Sequence, residues 1–277
     1  MTRLIPMCGL PRSGSTLLVN LLNQHPDIFA SPDSLLSSQL ISARDHLSST
    51  IMHSQYNSDL SYELFHNFCK YGSYSWMKTL TDKEVFLDKS RQWIHVFDLV
   101  DNIFPETKFI FCIRDLRGMY SSMLKAQKKT AIQYKHDYLL GDQDYDYRKE
   151  NIENIKLEKL FDFSMINGVL IVIKELLDCR MLNENQLFIR YEDLVTNPRT
   201  TLNSIYDFLG LKKINNNLDN IDQIPYNDCT FLPYGNHKIK NRLVEFDPWK
   251  FNISEEIEEK IIQDNDWYYA EFYPDAI

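Results

Sequence analysis

The chain carries Gly9-Leu10-Pro11-Arg12-Ser13-Gly14-Ser15-Thr16 between a short apolar run and an amphipathic segment, and no other feature restricts its fold as strongly. Leu4 to Cys8 is an apolar run of strand length, and Leu17, Leu18, Leu21 and Leu22 follow at helical spacing. A glycine turn joining a buried strand to a helix gathers backbone N–H groups and a helix start around one point, which suits an anion.

Further strands are expected at Val85 to Asp88, at Lys108 to Ile113 and at Leu187 to Arg190, the second being rich in aromatic and β-branched residues. Helical patterns lie at Ile94 to Ile103, Leu116 to Lys129, Lys156 to Leu177 and Thr200 to Leu209, the last opened by Asn197-Pro198 and closed by Gly210. Strands alternating with longer helices predict an α/β fold: a three-layer sandwich of the P-loop type, with a central, mostly parallel sheet flanked by helices. Residues 1–277 are expected to form a single domain, with no internal repeat. Asp142 to Glu150, Asn215 to Asp222 and Pro225 to Lys240 read as irregular, the first two as solvated loops.

A formal net charge of -9 argues against a nucleic-acid binder, so an anionic ligand must be held locally. Five cysteines are scattered without a CxxC pair, which fits a reducing, cytoplasmic setting better than a disulfide framework. Pro6, Pro11 and Arg12 interrupt the opening apolar stretch before a leader pattern forms, and no apolar run has the length to span a bilayer.

Gly9 and Gly14 have the spacing of the phosphate loop GxxxxGK[ST], but Ser15 replaces the lysine. Thr16 keeps the hydroxyl position, and Arg12 places a cation inside the loop. A nucleoside triphosphatase uses that lysine and Mg²⁺ to manage the β and γ phosphates. A 5′-phosphosulfate carries less charge, so an arginine and a nest of amides suffice without metal.

With these residues in place, the stretch GLPRSGSTLLVNLLNQHPDI resembles the phosphosulfate loop of sulfotransferases that use 3′-phosphoadenosine 5′-phosphosulfate (PAPS), especially the tyrosylprotein sulfotransferase-like and bacterial branch. The resemblance implies that Arg12, Ser13, Gly14, Ser15 and Thr16 hold the 5′-phosphosulfate. Phe109 to Leu124 (FIFCIRDLRGMYSSML) is similar to the family's 3′-phosphate motif, which assigns Arg114 and Ser122 to that dianion. Phe188 to Leu194 resembles a late strand whose tyrosine, here Tyr191, contacts the nucleotide. Gly235 to Lys240 resembles the last loop over the nucleotide, with Lys238 as the phosphate contact.

The implied activity is sulfonate transfer to an acceptor hydroxyl with release of PAP. It needs a base, cations around the sulfonate, and no metal. Asp33 matches the family's glutamate base, one carbon shorter, and could equally cap the helix beginning near Ser34. His25 and His95 are alternative bases. Lys89, at a strand end, matches a lysine that supports the sulfonate and leaving oxygen, with Arg12 as the other catalytic cation. Leu35 and Gln39 stand where the tyrosylprotein branch has arginines, which disfavours an acidic peptide acceptor. Lys125, Lys128, Lys129 and Lys135 could attract an anionic acceptor or form a solvated face. Trp267, Tyr268, Tyr269, Phe272 and Tyr273 could pack in the core or dock a partner. A homo-oligomer is left open, as are two other functions: a P-loop kinase and a catalytically idle nucleotide-binding scaffold.

Overall fold

The computed structural model describes residues 2–47, 58–134, 164–224, 239–244 and 247–276. The chain begins with β1 (Arg3–Gly9), α1 (Ser15–Leu22), β2 (Ile28–Ser31), α2 (Leu36–Leu47) and α3 (Ser58–Leu80). After β3 (Val85–Lys89), a 3₁₀ turn (Arg91–Val96) leads into α4 (Phe97–Ile103), β4 (Phe109–Ile113) and α5 (Leu116–Tyr134). Then come α6 (Ser164–Asp178), β5 (Gln186–Arg190), α7 (Tyr191–Thr196), α8 (Pro198–Leu209), α9 (Glu255–Asp264) and α10 (Asp266–Phe272).

The five strands form one parallel sheet in the order β2-β3-β1-β4-β5. A parallel sheet is covered on both faces, and the middles of its strands are accordingly apolar, with charged residues at the ends. On one face Phe86, Phe109 and Phe111 pack with Trp93, Phe97, Met119 and Tyr268. On the other, Val85, Leu87, Ile110 and Cys112 pack with Leu18, Leu22, Ile205 and Leu209 of α1 and α8. The expected α/β layering is therefore present, with all four expected strands.

Several elements differ from the sequence reading. β2 is an additional strand, paired with β3 from Ile28 against Val85 to Ser31 against Asp88. The helix expected at Ile94 to Ile103 is split into the 3₁₀ turn Arg91–Val96, in which the buried indole of Trp93 donates to Asp88 Oδ2 at 3.0 Å, and the helix Phe97–Ile103. α8 starts at Pro198, in the first-turn position where its missing N–H costs nothing, and ends at Gly210 in the left-handed region. Asn215 to Asp222 is irregular but not wholly solvated: Asn216 is buried, accepting from Tyr206 Oη at 3.0 Å and donating to the Leu21 carbonyl at 2.8 Å. Tyr268, Tyr269 and Tyr273 are core residues. Residues 142–150, 156–163 and 225–238 lie outside the described residues.

Candidate active site

The C-terminal ends of all five strands open into one cavity of about 1190 Å³. Ligands of open parallel sheets gather at this edge, where neighbouring strands connect in opposite directions. Here β1 leads to β2 and β3 on one side, and β4 and β5 lie on the other.

β1 delivers the glycine loop. Arg12 has φ 61 and Gly14 φ 79, so the loop turns through the left-handed region twice before α1 begins. Only glycine fits at position 14, since a Cβ there would lie 2.4 Å from the Tyr191 ring. No side chain caps the start of α1, and Ser15 and Thr16 line the cavity. Ser13 does not; its buried hydroxyl donates to the Leu10 carbonyl at 2.6 Å and so fixes the loop's shape.

β4 delivers the second cation. Arg114 Nη1 donates to the Arg12 carbonyl at 2.9 Å, and Arg12 Nε donates to Ser122 Oγ at 3.1 Å. The two regions identified in the sequence are thus joined directly. Burial, then the nearby Arg114 charge, pulls the Arg12 pKa down. The Arg114 guanidinium lies 4.3 Å from the Tyr191 ring centroid, a cation–π contact that makes the tyrosine part of the wall. Gly118 leaves room for the same guanidinium: a Cβ there would lie 3.1 Å from Arg114 Nε. That Nε is buried and has no hydrogen-bond partner among the described residues. Asp115, the next residue, is fully buried and grips Arg117 through both carboxylate oxygens.

β3 and β2 supply the remaining groups. Lys89 closes β3 and lines the cavity; burial is the main cause of its lowered pKa, followed by Arg91, with Asp33 and Asp88 opposing. Asp88 does not form a surface pair with Lys89. It is buried, accepts from Ser34 N at 2.9 Å and Trp93 Nε1 at 3.0 Å, and has its pKa raised to about 6, chiefly by burial. Asp33 lines the cavity and also accepts from Leu35 N at 3.0 Å, so it combines a turn-forming contact with access to the site. His95 lines the cavity as well. His25 does not: its ring is buried between Asp27 N at 3.1 Å and the Lys212 carbonyl at 2.9 Å, a structural arrangement.

The cavity is cationic although the chain is acidic. Arg12, Lys89, Arg91 and Arg114 line it, with Lys125, Lys240, Arg242 and Lys250 further along. Asp33 and Asp247 are the carboxylates among the described lining residues. Such a concentration raises the local density of an anionic ligand that the molecule as a whole repels. Sequence reasoning missed Arg242, Lys250 and Phe251, which sit in a stretch with no motif; their clustered charge near the chain's end was the available signal. Lys238 and Lys135 lie outside the described residues, as do the side chains of Lys128 and Lys129.

Comparison with known proteins bears on the family and the fold. The chain is 23% identical over 219 residues to a putative protein-tyrosine sulfotransferase of Caenorhabditis briggsae, covering 76% of this chain and 66% of that protein. It is 26% identical over 125 residues to nodulation protein NoeE of Sinorhizobium fredii (strain NBRC 101917 / NGR234), covering 42% of this chain and 30% of that one. The fold resembles the crystal structure of a sulfotransferase from Alicyclobacillus acidocaldarius, with a TM-score of 0.51 and 12% identity over 98% of this chain and 94% of that one. A family profile described as the sulfotransferase family matches residues 5–215, from β1 through the glycine loop, Lys89, Arg114 and Tyr191, and the chain belongs to that family.

Proposed function

We propose that this protein transfers the sulfonate group of PAPS to the hydroxyl of an acceptor, releasing PAP. The observation that carries the reading is the bond from Arg114 Nη1 to the Arg12 carbonyl, which brings two separately encoded cations into one cavity. The buried Nε of Arg114, which has no hydrogen-bond partner among the described residues, supports it, because a buried charged donor without an acceptor is costly and a bound phosphate would supply one.

In this reading the loop amides, Arg12, Ser15 and Thr16 hold the 5′-phosphosulfate, Ser13 and Gly14 shape the loop, and Arg114 with Ser122 holds the 3′-phosphate. Tyr191 stacks beneath Arg114 and faces the nucleotide, and Lys238 completes the phosphate contacts. PAPS, when bound, supplies an activated sulfonate whose bond to the phosphate oxygen breaks as the acceptor oxygen bonds to sulfur. Asp33 takes the acceptor's proton. Lys89 and Arg12 balance the negative charge that spreads over the sulfonate and leaving oxygens, the role of fixed cations in related phosphoryl chemistry. No metal is part of this reading. The scattered cysteines favour a cytoplasmic setting. A small alcohol, sugar, lipid headgroup or natural-product hydroxyl fits the acceptor role better than an acidic peptide, given Leu35 and Gln39.

Calorimetry with PAP, with ATP, and with ATP plus Mg²⁺ tests the donor site. Metal-independent PAP binding is expected; a response to ATP with Mg²⁺ alone would favour a kinase. Labelled PAPS offered with a panel of alcohols, sugars and lipids then identifies the acceptor, and binding of PAP without turnover of any acceptor would favour a nucleotide-binding scaffold.

A further inference from the structure

Gly118, Ser121, Ser122 and Lys125 of α5 line the cavity at helical spacing, and Arg117 does not. Arg117 instead ties the end of β4 to the last part of the chain. Its Nε and Nη2 donate to the buried Asp115 carboxylate at 3.0 and 2.6 Å, and its Nη1 lies 3.8 Å from Glu258 Oε2 of α9. Its guanidinium lies 5.6 Å from the Tyr269 ring centroid and 4.8 Å from that of Phe251. The Phe251 contact reaches the cavity, because Phe251 is one of its lining residues. The next residue is tied down as well: Asn252 N donates to Ser121 Oγ at 3.2 Å.

Phe251 rests over Gly118. A Cβ at Gly118 would lie 3.0 Å from Phe251 Cε1 and 3.1 Å from Arg114 Nε, so the ring edge and the guanidinium share the space that the absent side chain leaves. Arg114 is thereby bounded on two sides, by the Tyr191 ring at 4.3 Å and by the Phe251 edge. A hydrocarbon edge offers no acceptor, and Arg114 Nε is buried without a hydrogen-bond partner among the described residues. A charged donor in that state is costly until an anion answers it.

We propose that Phe251 is a positioning residue of the donor site, held over Gly118 by Arg117 so that the Arg114 guanidinium keeps the orientation that receives the 3′-phosphate. This role rests on the PAPS binding proposed above. It puts a determinant of selectivity for 3′-phosphorylated nucleotides beyond residues 5–215, the part of the chain that the family profile matches. The aromatic face is what the role requires. Asp115 fixes the Arg117 guanidinium, and a flat ring packed on a fixed guanidinium has its own plane fixed, and with it the edge turned to Arg114. Leucine would fill the space but offer Arg117 no π face.

Calorimetric titration of the full chain with PAP and with adenosine 5′-phosphate, which lacks only the 3′-phosphate, reads this role. Wild type should bind PAP at least about tenfold more tightly than adenosine 5′-phosphate. Phe251→Leu should weaken PAP binding about tenfold while leaving adenosine 5′-phosphate within about twofold of wild type. Phe251→Tyr keeps the face for Arg117 and should hold the wild-type ratio. Phe251 is half-buried, so neither variant should disturb folding. Equal affinity of wild type for the two nucleotides would overturn the donor reading itself. Where wild type does discriminate, an unchanged ratio in Phe251→Leu overturns the proposal for Phe251 alone. So does an equal loss of both nucleotides, which would mean that Phe251 touches the part they share or only supports the fold. A Phe251→Tyr protein as weak for PAP as Phe251→Leu would overturn the part played by Arg117.

Discussion

The hydroxyl of Tyr268 donates to the backbone carbonyl of Arg114 at 3.0 Å, so a residue from α10 fixes the strand end that carries the cavity's second arginine. Its neighbours act alongside it: Tyr269 donates to Asp115 Oδ1 at 3.1 Å, and Tyr273 to Glu192 Oε2 at 2.9 Å. Glu192 Oε1 accepts from Asp115 N at 3.2 Å, closing a buried polar network under the cavity. Burial raises the pKa values of all three tyrosines, which keeps them neutral donors.

Tyr268→Phe removes one donor and leaves a buried carbonyl unpaired, at a cost of about 1 to 3 kcal/mol. Urea unfolding should show that loss, and calorimetry should show weaker PAP binding as Arg114 loses its fixed origin. An unchanged PAP affinity would mean that β4 alone positions Arg114.

Arg114 and Lys89 should separate binding from chemistry. On the proposed reading Arg114→Ala removes a charge-assisted contact to phosphate together with the stacking on Tyr191, and should weaken PAP binding by about 1.5 to 3 kcal/mol. Lys89→Ala should instead lower turnover with PAP affinity nearly kept. Lys89→Ala protein with normal turnover and reduced stability would remove Lys89 from the chemistry.

Asp88 gives a pH signature. Its pKa is raised from the ordinary 3.8 to about 6, mainly by burial and despite hydrogen bonds from Ser34 and Trp93. A carboxyl with a raised folded-state pKa holds its proton more tightly when folded, so its stabilisation is complete below 3.8 and is lost as pH rises through 6. The shift corresponds to a loss on the order of 3 kcal/mol. Urea unfolding of wild type and Asp88→Asn from pH 4 to 7 should show the wild type losing ground to the variant across that window. A flat difference would place the Asp88 titration elsewhere.

The parts of this site that were legible in the sequence are those where one chemical need dictates both residue type and spacing. The loop from Gly9 to Thr16 and the placing of Arg114 and Ser122 beside it are of this kind, with Ser122 accepting from Arg12 and Arg114 donating to the Arg12 carbonyl. Asp88, Glu192 and the tyrosines were not, because burial of a polar group depends on partners distant in sequence: Tyr273 reaches Glu192 across 81 residues. β2 has only four residues and no alternation to mark it. α3 escaped detection because apolar residues on both of its faces blur the helical period. His25 shows the opposite failure, a chemically suggestive residue that packing has fully employed.

Asp33 combines a turn contact with a place in the cavity: Oδ1 accepts from Leu35 N, ahead of the helix that begins at Leu36, while the residue lines the cavity that contains Lys89 and Arg12. The turn matters: Leu35 has φ 64, an unfavourable value for a leucine, and the Asp33 contact helps hold it there. Asp33→Ala would therefore confuse a folding defect with a chemical one. Asp33→Asn keeps the acceptor for Leu35 N but cannot take the acceptor's proton at neutral pH. Its melting temperature and PAP affinity should stay near wild type, while single-turnover transfer, measured with the acceptor found by the labelled screen, should fall roughly 10² to 10⁴-fold. Rescue at high pH would not be expected, since the amide has no titrating group. Full activity in Asp33→Asn would leave Asp33 as a turn residue and pass the base role to His95, which also lines the cavity, or to the acceptor itself.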